Sequence, residues 1–239
     1  MATFVLVHGA SHGGWCWYKV AAHLRSHGHR VHAPDLPGHG ADRSATDQAS
    51  MQSSVDRIGE TLQASSEPAI LVGHSMGGAV ISQAAEQYAE RISHLVYLCA
   101  FLLEANQSIM DVLRQFPEAT DPPVFVPLKG TSYLVPNPEQ LAELFYADCT
   151  ADDIALAQAL LVPQNPELFV APIQISDSRF GGIPRTYIEC TQDRAIPLKV
   201  QRHCYRHTPC QTVISLDTSH SPFLSQPAQL ADVLTQVAQ

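Results

Sequence analysis

Short apolar runs alternate along this chain with longer amphipathic stretches, a pattern typical of a parallel sheet built from β-α-β units. The apolar runs have the length of buried strands, and the amphipathic stretches repeat their apolar positions at helical spacing. Strands are predicted at 3–7, 30–33, 69–72, 92–98, 185–189 and 211–216. Helices are predicted at 15–26, 50–64, 76–88, 198–206 and 222–237.

The alternation breaks between residues 101 and 182, where prolines cluster and three amphipathic segments follow one another, at 108–116, 139–146 and 152–161. An insertion after one strand of a parallel sheet lies over the ligand crevice at the carboxyl edge. We therefore expect an α/β core from 1–100 and 183–239, with a mainly helical cap at 101–182. The alternative is that the insertion only covers the side of the sheet.

Composition excludes several classes of function. The chain has 239 residues, of which 45% are hydrophobic and 15% charged, as in a compact globular protein rather than a disordered one. Its net charge of -9 and the lack of a basic cluster argue against nucleic acid or an anionic membrane as partner. No apolar run reaches the roughly 20 residues of a membrane span. A strand begins almost at the N-terminus, so we expect no signal peptide and a cytoplasmic protein.

The motif Gly73-x-Ser75-x-Gly77 stands between the predicted strand at 69–72 and the predicted helix at 76–88. This is the strand–turn–helix context of a nucleophile elbow, in which a strained serine is lifted above the sheet. The glycines let the strand and the helix approach closely. Ser75 is the predicted nucleophile.

A serine nucleophile needs a histidine base and an acid that orients the histidine. In this fold class the chain order is serine, then the acid, then the histidine. His220 lies in the loop between the last strand and the last helix, and Asp193 lies just past the preceding strand. Both loops lie at the carboxyl edge of the sheet, as Ser75 does. Asp217, three residues from His220, and Glu104 are alternative acids.

The oxyanion hole is expected to use two backbone N–H donors. Met76 follows the nucleophile, and Ala10 lies in the glycine-rich loop 8–14 after the first strand. The alternative for Gly13 and Gly14 is a simple turn before the first helix.

Two groups of closely spaced histidines, one of them with a cysteine, could bind a metal ion. They are His27, His29 and His32, and His203, Cys204 and His207. Neither group has a neighbouring carboxylate ligand or the glutamate of an H-E-x-x-H motif, so we expect solvated histidines, no metal and no cofactor.

Three motifs, at 4–19, 73–78 and 187–197, are very similar to those of one branch of the α/β-hydrolase superfamily. The branch comprises plant methyl esterases and hydroxynitrile lyases with their bacterial esterase relatives, and the resemblance covers essentially the whole chain. It implies the α/β-hydrolase fold, a mostly parallel six-stranded sheet flanked by helices with a mainly helical cap insertion. It also implies substrate contacts from Gly9, Ser11, His74 and Ser221.

Two departures bear on the activity that the resemblance implies. Hydroxynitrile lyases carry threonine where this chain has Gly9, and a lysine after the catalytic histidine where it has Ser221. Without that lysine, departing cyanide lacks a stabilising cation, so the chain looks like an esterase. The segment 35–40 has the form commoner in bacterial hydrolases, which predicts a bacterial member.

The sequence therefore predicts a carboxylesterase-type serine hydrolase that acts on a small-molecule ester, as a monomer or a homodimer. The alternatives are triad hydrolysis of a lactone, an amide or a carbon–carbon bond, a hydroxynitrile lyase, and a small-molecule receptor with low turnover.

Overall fold

A six-stranded parallel sheet forms the centre of the molecule. The computed structural model describes residues 1–238. The strands are β1 (Thr3–Val7), β2 (Arg30–His32), β3 (Ala69–His74), β4 (Ile92–Leu98), β7 (Arg185–Cys190) and β8 (Thr212–Leu216). Their order is β2-β1-β3-β4-β7-β8, and every neighbouring pair is parallel. The predicted α/β-hydrolase fold is confirmed, and the six predicted strands are present within one or two residues of their predicted bounds.

The strand order reverses direction between β1 and β3. The chain steps outward from β1 to β2 on one side and then continues through β3 and β4 on the other. In open α/β sheets, ligands bind at such a switch point, beyond the carboxyl ends of the strands. The loop after β1 and the turn after β3 therefore frame the expected binding crevice.

Helices cover both faces of the sheet because alternate strand residues point to opposite sides. Val5 and Val7 pack in the apolar cluster with α2 (Met51–Gln63), α3 (Gly77–Gln87) and α8 (Leu198–His207). Their neighbours Phe4 and Leu6 pack with three helices of the other face. Those helices are α1 (Tyr18–Ser26), α9 (Pro222–Ser225) and α10 (Pro227–Val237). The strands are apolar on both faces, as expected of a parallel sheet covered on both sides.

The last predicted helix is divided in two. The α9 helix ends at Ser225 and α10 begins at Pro227, and the backbone of Gln226 between them is not helical. The residue before a proline disfavours the helical region, which ends the first helix there. The single helix predicted for 222–237 was wrong at this point.

The segment between β4 and β7 is partly extended. It contains four short helices and one antiparallel strand pair. These are α4 (Ile109–Leu113), α5 (Leu141–Phe145), α6 (Ala151–Leu160), α7 (Glu167–Val170), β5 (Phe125–Pro127) and β6 (Leu134–Pro136). The pair β5–β6 was not predicted, because the prolines that end the two strands, Pro127 and Pro136, favour a loop. Proline is tolerated at these positions because it stands at the end of an edge strand. The separate-cap interpretation of 101–182 stays a prediction.

In the described part of the chain, no helix combines the length and the hydropathy that crossing a bilayer requires.

Candidate active site

Ser75 occupies a strained turn between β3 and α3. Its φ is 54°, in the left-handed region that a non-glycine residue seldom adopts. Its carbonyl accepts hydrogen bonds from the N–H groups of Gly78 (3.0 Å) and Phe101 (3.1 Å), and its own N–H donates to Leu98 O (3.3 Å). These bonds hold the turn against its strain, as expected of a functional site that stores strain in its backbone.

Two glycines make this turn possible. A Cβ on Gly73 would lie 2.7 Å from the carbonyl oxygen of Gly77, and one on Gly77 would lie 2.7 Å from that of His8. Since real Cβ atoms essentially never approach backbone this closely, a side chain at either position would push β3, α3 or the loop after β1 apart.

His220 and Asp193 form a buried hydrogen-bonded pair. The imidazole Nδ1 of His220 lies 2.7 Å from Asp193 Oδ2, and both side chains are almost completely buried. The other oxygen, Asp193 Oδ1, accepts from the backbone N–H groups of Ala195 and Ile196, each at 2.8 Å. With Nδ1–H held by the carboxylate, Nε2 of the neutral ring carries the lone pair that can accept a proton.

The two alternative acids lie elsewhere. Asp217 is exposed, and its carboxylate accepts from the Thr191 hydroxyl and the Gln192 amide instead. Glu104 is exposed beside a separate surface pocket. Of the three candidates, only Asp193 contacts the imidazole of His220 in the described structure.

Gln201 supports the acid from α8. Its Nε2 lies 3.3 Å from Asp193 Oδ2 and donates to Ile196 O at 2.8 Å, while its Oε1 accepts from Cys190 N. Sequence reasoning missed Gln201, because a glutamine inside an amphipathic helix carries no local signal for a contact across the loop.

The loop after β1 presents an unused backbone donor. Within residues 1–238, the N–H groups of Ala10 and Met76 have no hydrogen-bond acceptor, unlike most buried amides. Ala10 borders the same cavity as Ser75 and His220. Two free donors at the nucleophile are the arrangement that an oxyanion hole requires.

Two buried histidines fix this loop. His8 Nδ1 donates to Gly9 O (2.8 Å) while its Nε2 accepts from Leu36 N (3.1 Å). His12 Nδ1 donates to Ala10 O (2.8 Å), and the Tyr146 hydroxyl donates to His12 Nε2 (2.7 Å). Both rings are therefore neutral, and each is used on both nitrogens. Sequence reasoning missed these roles because one partner of each ring, Leu36 for His8 and Tyr146 for His12, is distant in sequence.

Burial keeps these imidazoles uncharged. It lowers the pKa of His12 to about 4 and holds the pKa of His8 well below its ordinary value. Burial likewise holds the pKa of His74 well below the usual range. The His74 Nε2–H donates to the carbonyl oxygen of His220 at 2.9 Å, so this ring braces the backbone of the base.

An apolar cavity of about 260 Å³ opens at Ser75 and His220. Apart from these two residues, Thr120 is the only lining residue with a polar side chain in the described structure. The rest of the lining is apolar and comes mainly from the 101–182 segment. The larger members of that set are Phe101, Ile109, Met110, Leu113, Phe125, Leu134, Phe145, Phe169 and Ile196.

The four predicted substrate contacts do not line this cavity in the described structure. Ser11, His74 and Ser221 are fully or almost fully buried, and Gly9 packs against His74 Nδ1 and Ser75 Cβ. His74 is instead bonded to the backbone of His220. Their role as substrate contacts stays a prediction that the cavity does not support.

One cluster of possible metal ligands lies within residues 1–238, formed by His74, Cys99 and His220, whose ligand atoms lie within 4.8 Å of one another. These residues already hold one another: His74 Nε2 and Cys99 Sγ both face the carbonyl oxygen of His220. Burial also raises the pKa of the Cys99 thiol, which opposes the thiolate form that metals prefer. The contacts within the cluster therefore hold the backbone of His220.

Comparison with known proteins places this geometry in context. The model of the alpha/beta hydrolase family matches residues 4–233. Salicylic acid-binding protein 2 of Nicotiana tabacum is 33% identical over 98% of this chain and 96% of its own length. Methylesterase 1 of Arabidopsis thaliana is also 33% identical, over 98% of this chain and 95% of its own length.

A similar solved structure is that of a pyrethroid hydrolase from Sphingobium faniae JZ-2. It superposes with a TM-score of 0.89 at 31% identity, covering 99% of this chain and 97% of that one. The two curated relatives are plant proteins, so they give no support to a bacterial source, which stays a prediction.

Proposed function

This chain belongs to the alpha/beta hydrolase family, in the branch of the plant methyl esterases, and on that premise we propose that it cleaves small carboxylic esters through an acyl-enzyme on Ser75. It is an esterase-type hydrolase, as its relatives are named. The observation that carries the proposal is the Asp193–His220 pair, at 2.7 Å, opening on the same apolar cavity as the strained Ser75.

Acylation begins with proton transfer from Ser75 to His220. Because Asp193 holds Nδ1–H, Nε2 takes the proton of the Ser75 hydroxyl as Oγ attacks the ester carbonyl. The carboxylate stabilises the imidazolium that forms. The tetrahedral oxyanion accepts hydrogen bonds from the N–H groups of Ala10 and Met76. His220 then gives its proton to the leaving alcohol as the C–O bond breaks.

Deacylation repeats these steps with water. His220 takes a proton from a water molecule as the water oxygen attacks the carbonyl carbon of the acyl-enzyme. It then returns that proton to Ser75 Oγ as the bond between Oγ and the acyl carbon breaks and the acid leaves. Helix α3 begins just after Ser75, and the positive end of its dipole favours the negative charge that develops there. The chain's own residues supply each proton transfer in this scheme.

The geometry around Gly9 disfavours hydroxynitrile lyase chemistry. A Cβ at position 9 would lie 2.9 Å from His74 Nδ1 and 2.9 Å from Ser75 Cβ, so the threonine of the lyases would need a shift of both. Ser221, at the position of the lyase lysine, is fully buried and brings no positive charge to the cavity.

Hydrolysis of p-nitrophenyl esters, from acetate to octanoate, tests the proposal. We expect wild-type turnover that falls by about 10⁴-fold or more in Ser75→Ala. Ser93→Ala, on an exposed residue of β4, is the matched control and should keep full activity. Intact-protein mass spectrometry of the quenched reaction should find the acyl mass on wild type and none on Ser75→Ala.

Two results would contradict the proposal. Turnover that persists in Ser75→Ala would exclude Ser75 as nucleophile. A folded wild type that binds an ester or acid without turnover would favour the receptor alternative. The cytoplasmic location and the choice between monomer and homodimer stay predictions from the sequence.

A further inference from the structure

Ser11 is a second strained residue at the site. It has a φ of 62°, in the left-handed region, although it is a serine and completely buried. A residue held in this region persists only where its surroundings over-determine it, and such residues concentrate at functional sites. Ser11 directly follows Ala10, the proposed oxyanion donor, so whatever holds Ser11 also sets the direction of that donor.

The backbone of Ser11 is held at both ends by one distant segment. Its N–H donates to Gln164 Oε1 at 3.0 Å, and its carbonyl accepts from Val162 N at 3.0 Å. Gln164 and Val162 lie between β6 and β7, in the segment that lines most of the cavity. About 150 residues of chain separate Ser11 from its two partners.

Both the backbone and the side chain of Gln164 are held in place by hydrogen bonds. It is fully buried, and its backbone N–H and carbonyl pair with Leu134 at 2.8 and 2.9 Å. Its Nε2 donates to Asn165 O at 2.9 Å, which fixes the amide with Oε1 toward Ser11. His39 Nε2 lies 2.9 Å from the same Oε1.

The peptide group between Ala10 and Ser11 is therefore held on both sides. His12 Nδ1–H donates to its carbonyl oxygen at 2.8 Å, and Gln164 Oε1 accepts from its N–H at 3.0 Å. A peptide group is planar, so fixing both ends fixes the torsions on either side of it. The neighbouring Ala10 N–H has no partner among the described residues, and Ala10 lines the same cavity as Ser75.

We propose that Gln164 is a positioning residue for the oxyanion hole, which couples the cavity-lining segment to the loop after β1. Through Ser11 it keeps the Ala10 N–H aimed at the oxygen that becomes charged in the transition state. This inference rests on the proposed serine hydrolase function. It predicts that loss of the Gln164 oxygen weakens stabilisation of the transition state and leaves ground-state binding in the apolar cavity intact.

The test compares Gln164→Met, which keeps the side-chain length and loses the acceptor, with Gln164→Glu, which keeps an oxygen for Ser11. Gln158→Met, on an exposed position of α6, is the matched control. Active sites are counted with a fluorophosphonate, so that kcat refers to folded enzyme only. The kinetics use a p-nitrophenyl ester, with wild type and Ser75→Ala in parallel.

For Gln164→Met we expect kcat about 10- to 100-fold lower, because a misdirected oxyanion donor costs less than the roughly 100- to 1000-fold of a lost one, and KM within about threefold of wild type. A trifluoromethyl ketone adds to Ser75 and places its oxyanion in the oxyanion hole. Its inhibition constant should rise by the same factor as kcat falls. Affinity for the matching methyl ketone should not change. Gln164→Glu keeps an acceptor for Ser11 N–H but loses the donor to Asn165 O, so its kcat should lie between those of Gln164→Met and wild type, and Gln158→Met should match wild type.

Values of kcat and trifluoromethyl ketone affinity within twofold of wild type in Gln164→Met would overturn the inference. If that variant does not fold, Gln164→Asn, which withdraws the amide from Ser11 by one methylene, must show the same selective loss, and a wild-type kcat there would equally overturn it. An inactive wild type would instead overturn the proposed function itself, and the inference with it.

Discussion

In the proposed mechanism, Asp193 decides which nitrogen of His220 accepts a proton. Its two oxygens are divided: Oδ1 accepts from two backbone N–H groups, and Oδ2 accepts from the imidazole. This division matters because the base must present Nε2, and not Nδ1, to the nucleophile.

Asp193→Asn should therefore lower kcat by about 10⁴-fold with little loss of fold. The asparagine oxygen will stay on the N–H groups of Ala195 and Ile196, which turns its NH₂ group toward His220 Nδ1. That contact selects the wrong tautomer, with the hydrogen on Nε2. Ester kinetics and a urea unfolding curve measure the two effects separately. A variant that keeps more than a tenth of wild-type kcat would contradict the orienting role.

At the scale of elements, the elbow depends on the close approach of three backbones. Gly77 opens α3 at the point where the loop after β1 crosses it, with His8 O and Val7 O at 2.7 and 2.9 Å from a hypothetical Cβ. The sequence pattern predicted a tight turn here, and the structure identifies the loop after β1 as the third neighbour.

Gly77→Ala is expected to destabilise the fold by about 2 kcal/mol or more, because the methyl group meets backbone oxygens that cannot rotate away. It should also lower kcat, since the loop that moves carries Ala10. Gly182→Ala is the matched control, because nothing lies within 4 Å of a Cβ there. Thermal unfolding of both variants measures the difference. Equal melting temperatures would show that the loop yields to the methyl group without cost.

The whole molecule should respond to acid through its buried neutral histidines. Burial lowers the pKa of His8, His12 and His74 below the value of about 6.5 that an unfolded chain shows. Between that value and the lowered pKa, the unfolded chain binds more protons than the folded one. The free energy of unfolding therefore falls as the pH drops below about 6.5, and its full value is present above that pH.

His12 alone, with a pKa of about 4, accounts for about 3 kcal/mol of this loss at most. Urea unfolding at steps from pH 7.5 to 4.5 measures the slope. His12→Gln should reduce that slope by nearly one proton, whereas Ser93→Ala, at an exposed position without a titrating group, should leave it unchanged. A wild-type stability that is flat over this range would contradict the burial of neutral imidazoles.

Local patterns in the sequence were enough to predict the sheet, the turn at Ser75 and the chain order of the catalytic candidates. Strand periodicity and the glycines around Ser75 are local signals, since backbone geometry and burial act within a few residues. The positions of Asp193 and His220 follow from chain order once the sheet is parallel. The strand pair of the 101–182 segment was not predicted, because its prolines are as typical of loops as of edge strands.

The groups that hold the candidate catalytic residues in place became visible only when the chain was seen folded. Tyr146 holds the imidazole of His12, and Gln164 holds the backbone of Ser11, across 134 and 153 positions of the chain. A buried polar side chain is paired with whatever packing brings near it, and no local pattern encodes a partner that far away. The apolar character of the cavity also arises this way, from side chains that meet only when the segment between β4 and β7 folds over the sheet.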